Sequence, residues 1–276
     1  MKPPALIARL IANARAAAGI EVIQELALPM VVQCLGVVFG RPQDVDEWYS
    51  WGPDTWITDE EGIRHGDHLD RYLKRGFDGL DQTPTDDIFG AVNVAEFQGR
   101  PLTRKEKYGI ANLVLAGGRD TVVKLISGSL RQLSLDPELR AKLRIDFELL
   151  PAFINEMVRF LSPLPMMHRV DKEASADGAH PSYVYLSFVS ANHDSELFEN
   201  PHVVDAERSP NPHLGFGFGR HTCIGMHLAN LEARIILEEW LLAFDSWKVA
   251  DTSEITFDAE YPTVPARFER LDLQVA

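Results

Sequence analysis

The segment Phe216-Gly217-Phe218-Gly219-Arg220-His221-Thr222-Cys223-Ile224-Gly225 restricts the fold more than any other stretch of the chain. Its glycines permit tight turns and let backbone pass close to a flat neighbour. The residues that follow, through Leu228, Leu231, Ile235, Leu237, Trp240 and Leu241, read as a long helix. Cys223 is therefore expected just ahead of a helix, where backbone amides and the helix dipole favour thiolate over thiol. A lone cysteine is more often a small buried hydrophobe. Constrained residues stand on both sides of this one, and a ligand role stays open beside the buried one.

The rest of the chain reads as predominantly helical. Ala5 to Ala17 is alanine-rich, and Val22 to Phe39 continues in an apolar, helical style. Between Trp48 and Asp86 the pattern is weak, but Leu69, Tyr72, Leu73 and Phe77 mark one short amphipathic helix. Thr103-Arg104-Lys105-Glu106 has the form of a capping box, opening a helix expected to run to about Leu130. Asp136-Pro137 and Pro151 open two more, the latter with the stripe Phe153, Ile154, Met157, Val158 and Leu161. Tyr183 to Val189 is β-branched and aromatic and reads as a strand, and the tail from Trp247 to Val275 as short strands. Asn192 to Arg220 is a meandering loop. With no repeat or linker, residues 1–276 are expected to form a single domain.

Two further motifs lie between these landmarks. Ala116-Gly117-Gly118-Arg119-Asp120-Thr121 falls inside the long helix, where adjacent glycines are poor helix formers. The glycines could serve close helix packing, or they could open a groove beside an acid and a hydroxyl. Glu156 and Arg159 stand three apart and share one helix face, a pairing that usually marks a solvated surface.

Taken together, these motifs resemble the cytochrome P450 family. In its haem-binding signature Phe, Gly, Gly, His, Cys and Gly keep fixed offsets. Here Phe216 lies seven before the cysteine, Gly217 six, Gly219 four and His221 two, with Gly225 two after. The resemblance implies a mainly α fold with small β-sheets, and a b-type haem whose iron is held by Cys223. It implies that Phe216, Gly217 and Gly225 shape the haem loop, and that Arg169 and His221 meet the propionates. Gly117 would leave room for dioxygen, while Asp120 and Thr121 would help deliver protons. Glu156, Arg159 and Arg208 would form a structural network that locks the loop presenting Cys223. Family members normally carry a further N-terminal region before the segment that opens this sequence, so the chain is expected to hold its haem weakly.

The implied activity is a haem-thiolate monooxygenase acting on a small organic substrate. Without a flavin or iron–sulfur motif, its electrons would come from a separate ferredoxin- or flavodoxin-like donor. A second reading is a truncated haem-binding paralogue or fragment without turnover. Composition narrows the partners. Lys and Arg total 27 against 41 Asp and Glu, a formal charge of −14, which argues against nucleic acid. The most apolar run, Leu26 to Phe39, is too short to span a membrane and is broken by Pro29, Gln33 and Gly36. Two cysteines, Cys34 and Cys223, cannot build a disulfide framework, and a reducing cytoplasmic setting is expected. His168, His180, His193 and His213 read as loop or surface histidines, and Trp48, Trp51 and Trp56 as core more than pocket.

Overall fold

A computed structural model describes residues 3–52, 57–58, 64–80, 82–171 and 182–275. These group into two compact units, Met1–Ala16 with Ile20–Val123, and Ala17–Gly19 with Lys124–Ala276.

In the first unit, helix α1 (Pro3–Ala16) is followed by a π-helical turn, Ile23–Ala27, that leads into α2 (Leu28–Val38). The short α3 (Val45–Ser50) precedes α4 (Asp67–Phe77), on which Leu69, Tyr72, Leu73 and Phe77 are buried as their spacing requires. Their rings continue into a cluster: Trp48 meets Phe39 and Tyr72 edge-on, and Phe89 meets Tyr72 and Phe77. Trp48 is thus a core residue, whereas Trp56 lies outside the described residues. A polar latch ties the same elements. Arg41 reaches both Asp44 and Asp87, Tyr72 donates to Asp44, and Asp87 caps α5 (Ile88–Val94). Helix α6 (Arg104–Gly117) starts at the capping box, Thr103 accepting from the Glu106 amide and Glu106 from that of Thr103.

The expected helix from Thr103 to Leu130 is not continuous. It breaks after Gly117, and α7 (Asp120–Leu135) begins three residues later. Gly118 is pressed so closely against α2 that a Cβ would lie 3.0 Å from the Leu35 side chain and 3.1 Å from the Val114 carbonyl oxygen. A residue with a side chain would push these apart.

The second unit takes the remainder of α7, then α8 (Pro137–Ile145), capped by Asp136, and α9 (Leu150–Leu161). Its core gathers Phe153, Ile154, Met157, Val158 and Leu161 with Ile236, Leu237, Trp240 and Leu241 of a later helix, Met226–Ala243. Leu231 and Ile235 of that helix are exposed, so its apolar face is narrower than its composition implies. Trp247 packs edge-on against Trp240 and donates to the Leu130 carbonyl at 2.9 Å. Strand Met166–Asp171 pairs antiparallel with Ser182–Ser187, with Met166 opposite Ser187 and Asp171 opposite Ser182. The strand expected over Tyr183–Val189 ends early. Ser187 caps a short helix, α10 (Phe188–Asn192), by accepting from the Ser190 amide. The tail forms strands Trp247–Val249, Glu254–Phe257, Pro265–Arg270 and Asp272–Val275, and α11 is the helix Met226–Ala243. No helix among the described residues is long and apolar enough to cross a membrane.

Candidate functional site

The residues singled out in the sequence fall in two sets, one in each unit. In the second unit Glu156 and Arg159 are fully buried and form a two-pronged pair, Arg159 Nη2 to Glu156 Oε1 at 2.7 Å and Nε to Oε2 at 2.8 Å. Planar forks of this kind match a carboxylate in both distance and direction. Arg208 Nε adds bonds of 3.1 and 3.2 Å to the same carboxylate. Asn211 Nδ2 and the Asp205 amide complete it at 3.1 and 3.0 Å. Arg159 meanwhile donates to the carbonyls of Asn192 and Pro201 at 2.7 and 2.9 Å. The pair is therefore not the solvated surface that its spacing alone would indicate. Each bond ties α9 to a different point of the meander, and burying the ions is tolerable because their lone pairs and protons are occupied.

The network reaches further than the charged trio. Asn192 donates to Ser162 Oγ at 2.9 Å and accepts from the Leu214 amide at 2.7 Å. His213 bridges Asn155 Oδ1, at 2.8 Å, to the Gly215 amide, at 3.1 Å, and burial lowers its basicity. It is not a free loop histidine. His193 is not one either: it is only 4% exposed and stacks on Tyr261 and His202 at 5.1 and 5.5 Å. Desolvation pulls its pKa down to about 4. His168 is exposed, and His180 lies outside the described residues.

From Leu214 the chain enters the cysteine loop. The Gly217 amide donates to Leu214 O at 2.8 Å, and the Cys223 amide to Phe216 O at 2.7 Å, closing the loop into a hairpin-like turn. Gly217 adopts φ +72°, the left-handed region, and a Cβ there would sit 3.0 Å from the His221 carbonyl oxygen. Only glycine meets both demands. Thr222 folds back on Gly219 O through amide and hydroxyl, and Gly225 forms the N-cap of α11 two residues beyond Cys223. Cys223 itself is exposed, as is His221, while Phe216 is half-buried against His213. On the same loop, Phe218 is 83% and Ile224 91% exposed. Arg169 stands elsewhere in this unit, half-buried on Met166–Asp171 and donating to the neighbouring His168 carbonyl.

In the first unit the break after Gly117 leaves that residue's carbonyl to accept the Thr121 hydroxyl at 2.9 Å. Nothing lies within 4 Å of where a Gly117 side chain would point, so the break borders open space. Asp120 and Thr121 are half-buried in the first turn of α7. Arg119 between the helices is buried, with Nε 3.8 Å from Asp120 Oδ1 and its guanidinium 5.9 Å from the Trp51 ring.

The donor set decides what Cys223 could bind. Among the described residues no three His, Cys, Asp or Glu side chains converge to hold a bare ion. A single exposed sulfur, on a loop that also exposes the apolar Phe218 and Ile224, fits a metal that arrives already held in a flat apolar ligand. The cytochrome P450 family profile matches residues 88–264, which include the α7 motif, the Glu156 network and the Cys223 loop. The chain belongs to the cytochrome P450 family. Its fold matches that of a carbohydrate-active P450 with a TM-score of 0.84 at 28% identity, covering 99% of this chain and 73% of the other. Among sequences, it is 32% identical over 254 residues to cytochrome P450 126 of Mycobacterium tuberculosis, covering 86% of this chain and 61% of that relative. It is 30% identical over 262 residues to the steroid C26-monooxygenase of Mycolicibacterium smegmatis, covering 90% and 64%. The chain thus spans somewhat less than two thirds of the length of these curated P450 relatives.

Proposed function

We propose that this P450 is a haem-thiolate monooxygenase of the cytoplasm. In this reading one atom of dioxygen enters an organic substrate and the other leaves as water, with two electrons and two protons consumed. The observation that carries it is the exposed thiol of Cys223 on a loop pinned from behind by a buried charge network. Bound b-type haem would supply the oxygen-activating chemistry, which a thiolate ligand promotes by pushing electron density toward O–O cleavage.

The chain's own residues would then do the following. Cys223 holds the iron, Phe216, Gly217 and Gly225 shape its loop, and Arg169 and His221 bind the propionates. Thr121 donates its hydroxyl hydrogen bond to Gly117 O, which leaves its oxygen lone pairs available to accept. Asp120, one residue before it, is the acid that moves protons in from water, with Gly117 keeping the space beside it clear. Glu156, Arg159 and Arg208 act structurally. A separate ferredoxin- or flavodoxin-like protein delivers the electrons. The oxygenase named among the relatives favours this reading over a haem carrier without turnover.

The test is labelled-oxygen incorporation by the haem-loaded chain, with a ferredoxin and its reductase, against a panel of steroids, sugars and fatty acyl compounds. Label is expected in product, and Thr121→Ala should divert reduced oxygen to peroxide. Full haem loading with no labelled product from any class would contradict the proposal.

A further inference from the structure

Two arginines are buried among the described residues, and only one belongs to the Glu156 network. The other, Arg119, is 1% exposed and sits in the break between α6 and α7. Three features fix it there. The backbone just before it is held against α2 at Gly118. Its guanidinium lies over the Trp51 ring, a contact that favours a planar cation. Its Nε is 3.8 Å from Asp120 Oδ1, beyond hydrogen-bond length but within ion-pair range. Asp120 keeps 32% of its side chain exposed, so one end of this pair is buried and immobile while the other reaches water.

We propose that Arg119 is a positioning residue that tethers the Asp120 carboxylate electrostatically at the start of α7. The inference rests on the reading of Asp120 as the proton-handling acid. A cation at this distance attracts the carboxylate toward the break, in the first turn of α7 and next to Thr121. The helix start acts in the same direction, because Asp120 occupies the first turn of α7. Lysine could supply the charge but not the flat stacking on Trp51.

The experiment combines two readouts on the haem-loaded protein. One is the carboxylate stretch of Asp120 in the resting state, identified by its absence in Asp120→Asn. The other is product formed per dioxygen consumed. Arg119→Gln is expected to shift the band and to lower coupling about fivefold, the effect of losing an ion pair at this separation. Arg119→Lys should recover most of both. Trp51→Leu removes the surface beneath the guanidinium but leaves its charge, and should shift the band less and in the same direction. If Arg119→Gln does not fold, Arg119→Lys and Trp51→Leu decide the matter by the same band. An unshifted band in every folded variant overturns the proposal, and so does lost coupling without a shift, which would mark a purely structural arginine. The band reports the pair whether or not turnover is seen. A wild-type chain that binds haem but makes no product would defeat the monooxygenase reading and leave this one to the infrared result.

Discussion

Glu156 and Cys223 belong to the same unit and are built in opposite ways. Glu156 is fully buried and accepts bonds from Arg159, Arg208, Asn211 and the Asp205 amide. Cys223 is exposed on a loop held by a few backbone bonds, which also carries the solvent-facing Phe218 and Ile224. A thiol proposed as a ligand has to remain accessible, so it cannot be fixed by burying it. The chain fixes the ground beneath it instead: the network holds Asn192, Asp205, Asn211 and the backbone up to Leu214, and the glycine turns carry that order forward to the sulfur.

Four substitutions or conditions separate the two regions. The largest effect is expected from Glu156→Ala, which strands the buried Arg159 guanidinium and the partly buried one of Arg208 and should cost about 3–5 kcal/mol in urea unfolding. An unfolding midpoint close to wild type would place the energy elsewhere. Acid comes next. His193, beside Asn192, is held neutral in the fold with its pKa pulled from 6.5 to about 4. The unfolded chain takes up that proton first as pH falls. The stabilisation is therefore complete above about pH 6.5 and lost progressively down to about pH 4, up to about 3 kcal/mol in all. His193→Phe, which keeps a ring against Tyr261 and Phe160, should flatten the pH dependence in that window. Gly217→Ala should cost about 1–2 kcal/mol through its left-handed backbone. Smallest of all, Phe218→Ser should change the unfolding free energy of the haem-free chain by less than about 0.5 kcal/mol, while weakening its uptake of haem. A large loss of stability in Phe218→Ser would show that the loop is part of the core after all.

The same contrast explains what was readable in the sequence. Helix α4 and its four buried residues, the Thr103 capping box and the Asp136 cap are local, and their spacing is enough. The resemblance found the cysteine loop because each constrained position lies within a few residues of Cys223. Glu156 and Arg159 could be paired on spacing, but a buried pair and a solvated one look alike in sequence. The difference comes from acceptors at Asn192 and Pro201, more than thirty residues away. His193 was obscured for the same reason, since its stacking partners His202 and Tyr261 come from later loops. The break after Gly117 was foreshadowed by two glycines. What the sequence did not show is the tight approach of Leu35 to Gly118 and the burial of Arg119. In Tyr183–Val189 β-propensity misled, because the Ser187 cap turns Phe188 and Val189 into α10.

The proposed haem site depends above all on Cys223, which would hold the iron as a thiolate. The deciding measurement is the spectrum of the reduced, carbon monoxide-bound protein after haem loading. A strongly red-shifted Soret band is expected in wild type and in Cys34→Ala, and none in Cys223→Ala. A thiolate-type band that survives Cys223→Ala, or is missing from a fully haem-loaded wild-type chain, would contradict it.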